Sequence, residues 1–190
     1  MRPMLSCTLV LMGAWALSGC RQPTAPPQAF REYTAPRGAF KCEYPADWHA
    51  EAEGGDRTAA TLVRFRRGEA EIRIDEDPAP PPLPEAGRRD GEGESPLVRF
   101  HDIKTQQLDQ EFKNYIERET PRPFSSRGFG EGCRAMFVAD GSSVGRYLGY
   151  HLTLADGDRR FTILCRGPAT DWKALRPTFD RVIESFARSK

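Results

Sequence analysis

The chain has 190 residues, of which 38% are hydrophobic and 29% charged, with 28 basic side chains set against 27 acidic ones. So even a balance gives no electrostatic case for a nucleic-acid partner or a polybasic membrane patch. The length suits one ordinary domain with a real core.

The first twenty residues are organised unlike the rest. Arg2 supplies a positive start, an apolar run follows from Met4 to Leu17, and Leu17-Ser18-Gly19-Cys20 closes it. Charge, short apolar stretch and small-residue exit read as a secretory signal over residues 1–19. The run is shorter than the ~20 residues that span a bilayer. The tetrapeptide Leu17-Ser18-Gly19-Cys20 resembles the bacterial lipobox. That resemblance implies a lipoprotein: diacylglycerol on the Cys20 thiol, cleavage before it, and N-acylation of the new terminus. An ordinary signal peptide with an incidental cysteine is the alternative. Several acyl chains hold a protein on a membrane stably, since each buried methylene contributes ~0.8 kcal/mol. Residues 20–37 carry Pro23, Pro26, Pro27 and Pro36 and few aliphatics, so an extended tether is expected. Arg21 follows the cysteine, not the aspartate that in some Gram-negative bacteria retains lipoproteins at the inner membrane. The expected address is the cell envelope, on the periplasmic face of an outer membrane where the cell has one.

Once Cys7 leaves with the signal and Cys20 carries lipid, Cys42, Cys133 and Cys165 remain. In an oxidising compartment one disulfide can form, leaving one thiol free. Cys133 and Cys165 are expected at opposite ends of a three-strand meander, so a bond would join Cys42 to Cys133 or to Cys165. Three buried free thiols are the alternative.

Phe40, Cys42 and Tyr44 alternate in a first strand that Pro45 ends. Thr61, Val63 and Phe65 alternate in a second, and Ile72 and Ile74 in a third, with Gly68 at the turn between them. Residues 78–96, with six prolines and three glycines, read as a loosely held excursion from one domain over 38–190. Leu108, Phe112, Tyr115, Ile116 and Glu119 mark a helical stripe, with Asp102 as its cap and Pro121 and Pro123 as its stop. Three more strands follow: Ala135 and Phe137; Val144, Leu148, Tyr150, Leu152 and Leu154; then Phe161, Ile163 and Cys165 after an Asp156-Gly157 turn. Trp172, Leu175, Phe179, Val182, Ile183 and Phe186 form a last helical stripe, expected to break at Pro177. The sum is an α+β fold, an antiparallel sheet of about six strands packed with two main helices.

The opening Gly38-x-Phe40-x-x-x-Tyr44-Pro45-x-x-Trp48 is similar to the start of PsbP-like domains. So is the ending, with Gly167-Pro168, Trp172, Phe179 and Ile183-x-Ser185-Phe186. The resemblance implies an αβα sandwich and a non-catalytic accessory role, docking on a larger complex. A small-ligand or lipid-binding domain, with a pocket between the sheet and the helix at 103–118, is the alternative.

No catalytic group, metal ligand or cofactor is expected, apart from the lipid on Cys20. The only histidines are His49, His101 and His151, and no two have helical ligand spacing. Asp47 and Asp75 to Asp77 are the nearest candidate carboxylates. Ser142-Ser143 follows Gly141 in a hairpin turn, where a nucleophile elbow would need a strand-to-helix turn. Arg64, Arg66, Arg67 and Arg73 are interleaved with Glu69, Glu71, Asp75, Glu76 and Asp77 and read as a solvated mixed-charge face.

Overall fold

The computed structural model describes residues 26–53, 62–78, 95–126, 129–141, 145–157 and 159–189. The leader, the lipobox with Cys20, Thr61, residues 79–94 of the excursion, Ser142-Ser143 and Val144 lie outside them.

Among the described residues, ten strands and two α-helices form an α+β fold of the expected class. A two-stranded ribbon pairs β1 (Phe30–Thr34) with β2 (Lys41–Pro45). The main sheet is antiparallel and runs β3 (His49–Glu53), β4 (Leu62–Arg67), β5 (Ala70–Pro78), β10 (Arg159–Pro168), β9 (Gly145–Asp156), β8 (Glu131–Gly141), β6 (Ile116–Glu117). A short β7 (Arg122–Ser125) also pairs with β8. One helix, α1 (Pro96–Glu111), lies over β8 and β9. The other, α2 (Trp172–Ser185), lies over β10 and β2.

Four of the ten strands were not expected, and each lacks the apolar alternation that marks a strand. β3 reads His-Ala-Glu-Ala-Glu and is largely exposed. β6 has two residues, and β7 contains Pro123, which an edge strand tolerates because one side needs no N–H. β1 falls within residues 20–37, so the fold starts before residue 38. Phe30 and Tyr33 pack against the core, and the Lys41 and Ala187 backbones hydrogen-bond reciprocally at 2.8 and 2.9 Å.

Both helices differ from their sequence-based limits. α1 opens at Pro96, in the first turn where its missing N–H costs nothing, and Ser95 caps Leu97 N at 3.4 Å. It stops at Glu111, before Phe112, Tyr115 and Ile116 can extend it. Asn114 adopts φ 53°, and its side chain donates to Asp140 at 2.6 Å, which turns the chain into β6. Ile116 is consequently 59% exposed. α2 runs unbroken through Pro177. Lys173 loses its i+4 N–H partner there, but both residues face solvent, where water satisfies the free carbonyl.

The core follows from strand alternation. On the α2 side, Val63, Phe65, Ile72, Ile74, Leu152, Leu154, Phe161 and Ile163 are each 1% exposed or less. They meet Leu175, Phe179, Val182, Ile183 and Phe186 from α2, and Phe40 from the ribbon. Phe161 sits among Phe40, Phe129 and Phe186, with ring centroids 5.0–6.0 Å away. Tyr44 stacks on Phe65 at 4.5 Å and Trp48 meets Phe179 edge-on at 6.3 Å, so the Tyr44-Trp48 aromatics form a packed corner. On the α1 side a smaller apolar cluster joins Leu108, Phe112 and Tyr115 to Phe137, Ala139 and Leu164. Gly149 is required there: a Cβ would stand 2.1 Å from the Cys165 carbonyl and 2.5 Å from the Phe137 ring. Because both faces of β10 are covered, Phe161 to Cys165 are all buried, and its sequence reads as a continuous apolar run more than an alternation.

Candidate functional site

The α1 face of the sheet carries a buried polar constellation. His151 lies on β9, in register with Leu164 of β10 and Ala135 of β8. Its even-numbered neighbours Tyr150 and Leu152 point to the α2 core, so the odd register turns His151 and Thr153 toward α1. His101 occupies the second turn of α1, on the stripe that also buries Phe100 and Leu108. Glu117 reaches the same point from β6, where it pairs with Phe137. Residues 101, 117 and 151 thus come from a helix, an edge strand and a central strand.

Three hydrogen-bonding groups and a fourth, unbonded nitrogen converge on one carboxylate oxygen. Glu117 Oε1 lies 2.9 Å from His151 Nδ1, 3.0 Å from the Tyr115 hydroxyl, 3.1 Å from Thr105 Oγ1 and 3.4 Å from His101 Nε2. His101 Nδ1 lies 2.9 Å from Thr153 Oγ1. The two imidazoles stack with centroids 4.3 Å apart and planes 17° apart. His101 is 1% exposed and His151 0%. The Nε2 atoms of both rings have no hydrogen-bond partner, that of His101 because its approach to Glu117 is misaligned. Such orphans are uncommon in a buried site and costly, about 1–3 kcal/mol each.

Electrostatics set the protonation states. Burial pushes the Glu117 carboxyl up, but the two imidazoles set against it outweigh that and hold the group well below the usual carboxylate range. Burial, against the opposing pull of Glu117, draws His151 down to about 4. Burial and the adjacent Glu117 raise the Tyr115 phenol. At neutral pH the site therefore holds an ionised carboxylate beside a neutral His151 and a neutral phenol. Glu117 contributes the buried negative charge, and no lysine or arginine among the described residues pairs with it.

Ion pairs tie α1 down around this site. Lys104 reaches Asp77 at 2.7 Å and Arg73 reaches Glu111 at 2.7 Å. Other arginines of the sheet are ion-paired too, mostly to acids outside the expected set Glu69, Glu71, Asp75, Glu76 and Asp77. Arg64 pairs with Glu53, Arg66 with Glu51 and Glu71, and Arg166 with Glu71. Arg67 pairs with Asp47.

The other sequence candidates are scattered. His49 is exposed and lies 3.3 Å from Glu51. Cys42, Cys133 and Cys165 are free thiols, all buried, so no disulfide joins Cys42 to Cys133 or to Cys165. Cys165 and Cys42 share the α2-side core, while Cys133, in register with Thr153, belongs to the opposite face. The sheet thus separates Cys133 from both. Burial pushes the Cys42 thiol up to about 12 and raises that of Cys165.

The space under α1, where a ligand pocket was the alternative expectation, is filled by His101, His151, Leu108 and Phe112. Two half-open clefts among the described residues lie elsewhere, where α2 meets β2. Glu43, Glu184 and Ser185 line both, Phe124 and Arg181 one, Glu32 and Lys41 the other.

The sequence reading assigned no metal ligand, yet His101, His151 and Glu117 offer atoms that all lie within 4.8 Å of one another. Spacing could not find this set, because tertiary packing alone joins it. The one local signal was His151 on the non-leucine face of a strand that otherwise reads as core.

No protein-family model and no curated protein matches the sequence. Among solved structures, the fold is similar to cyanobacterial PsbP (CyanoP) from Synechocystis sp. PCC 6803. The TM-score is 0.59 at 12% identity, over 84% of this chain and 92% of that one. It is also similar to LpqN, involved in cell envelope biogenesis of Mycobacterium tuberculosis, with a TM-score of 0.50 at 9% identity over 85% and 92%. A protein of Bacteroides thetaiotaomicron VPI-5482 gives 0.50 at 13%, over 84% of this chain and 48% of that one. At such identities the likeness is one of fold, and the fold is PsbP-like.

Proposed function

We propose that this chain is a lipid-anchored accessory domain of the bacterial cell envelope, non-catalytic, that docks on an envelope protein or complex. The observation that carries the reading is the Leu17-Ser18-Gly19-Cys20 lipobox standing ahead of a PsbP-like domain. CyanoP is named as a PsbP protein, and LpqN is described as involved in envelope biogenesis. The second suits a domain that works in the envelope. No helix among the described residues is long and apolar enough to cross a membrane. The anchor and the docking surface are separable in this reading: the anchor sets the address and the folded domain supplies the contact.

Two measurements test it. Cys20→Ser should abolish lipid modification and block cleavage before residue 20, so that the protein should carry the mass of the unlipidated precursor and lose acyl-chain partitioning into detergent. Unchanged partitioning and mass would overturn the anchor. Crosslinking in native membranes should then capture a defined envelope partner. Recovery of no partner, together with a lipid co-purifying with the domain, would replace docking by ligand carriage.

A further inference from the structure

We propose that His101, His151 and Glu117 form a binding site for one transition-metal dication of the zinc class, buried between α1 and the sheet. The donor set is two imidazoles and a carboxylate, a combination that binds zinc tetrahedrally with bonds of about 2.0–2.1 Å. A tetrahedron of that size has edges of about 3.3 Å. Two of the three edges already stand close to this, with His151 Nδ1 2.9 Å and His101 Nε2 3.4 Å from Glu117 Oε1, and the three ligand atoms all lie within 4.8 Å of one another. Coordination requires the stacked rings to open from their 17° so that both lone pairs converge.

Three features of the site suit a bound cation. First, the ligand nitrogen His101 Nε2 is buried and engaged by no hydrogen bond. Second, Glu117 lacks the cation that other acids of this face have. Glu71 has Arg66 and Arg166, and Asp77 has Lys104. Third, the contact behind His101 is of the kind that holds a metal ligand in place. Thr153 Oγ1 accepts from His101 Nδ1–H in the tautomer that frees Nε2 for the metal, while the Thr105 and Tyr115 hydroxyls, which donate to Glu117 Oε1 itself, would turn aside as the ion binds there. Enclosure beneath α1 makes the site a structural one: the ion would bind helix, edge strand and central strand together.

The test uses the full-length lipoprotein, stripped with a chelator and titrated with cobalt(II) as a spectroscopic stand-in for zinc. One equivalent should produce visible d–d bands of four-coordinate intensity, zinc should bleach them, and zinc should raise Tm by mass action. His49→Ala, at the exposed histidine, should leave all of this unchanged. The double variant His101→Gln with His151→Gln should lose at least about 100-fold in affinity. If the double variant does not fold, X-ray absorption on the zinc-loaded wild type decides by counting two imidazoles. Absence of a stoichiometric band, loss of binding in His49→Ala, full binding in the folded double variant, or a site without two imidazoles would each overturn the proposal.

Discussion

The two faces of the main sheet solve the same covering problem by opposite chemistry. The α2 face is apolar throughout its middle, with Ile72, Ile74, Leu152, Leu154, Phe161 and Ile163 sealed beneath α2 and the β1–β2 ribbon. The α1 face shares the same strands in the opposite register, yet its middle holds His151, Thr153 and Thr162, and α1 contributes His101, Lys104 and Thr105 to it. Apolar burial of this kind stabilises by roughly 25 cal/mol per Å² without any demand on direction. The polar face gains little on balance, because each group must recover its lost water by an aligned partner. The comparison assigns stability to one face and leaves the other free to be specific.

The largest expected effect lies on the α2 side. Phe161→Ala removes a fully buried ring from the contact of Phe40, Phe129 and Phe186. It should cost about 3–5 kcal/mol, read as a lower urea midpoint for the whole domain. A loss below 1 kcal/mol would mean that this face is not the main core.

That face was legible in the sequence. Alternation at Ile72 and Ile74 and at Leu148 to Leu154, and the apolar run from Phe161 to Cys165, mark three central strands, and Trp172 to Phe186 marks the helix that covers them. The α1 face was not. The buried side of α1 mixes Phe100 and Leu108 with His101, Lys104 and Thr105, so its apolar period is weak over the first half of the helix. The stripe Leu108, Phe112, Tyr115, Ile116 had helical spacing, but a left-handed Asn114 diverts the chain after Phe112, and a local conformation of that kind leaves no period to read. The edge strands β3, β6 and β7 were missed for the same reason, since an edge needs no alternating apolar face.

The intermediate effect concerns Glu117. In the metal-free protein Glu117→Ala strips an acceptor from Tyr115, Thr105 and His151 at once. A loss of about 1–3 kcal/mol is expected. The opening should be confined to the α1 side: amide exchange should accelerate in α1 and β6 while β10 and α2 keep their protection. Thiol alkylation gives a second reading of the same split. Cys42, its thiol raised to about 12, and Cys165 lie in the α2 core, whereas Cys133 faces the α1 side. In Glu117→Ala, Cys133 should react ahead of the other two. Simultaneous labelling of all three thiols would show that the faces open as one unit.

The smallest effect falls beyond the edge of α1, where the α1 face of the sheet meets solvent. Arg64 pairs with Glu53 at 2.6 Å, but the Glu53 side chain is 61% exposed. Water screens the pair, and ordering two long side chains offsets much of the attraction. Arg64→Ala should therefore change stability by no more than about 1 kcal/mol, and raising the salt concentration should shrink even that. The short distance invites the opposite expectation, so the experiment separates geometry from burial as the source of stability. A loss matching that of Glu117→Ala would show that the charged margin, and not the enclosed cluster beneath α1, holds this side of the sheet together.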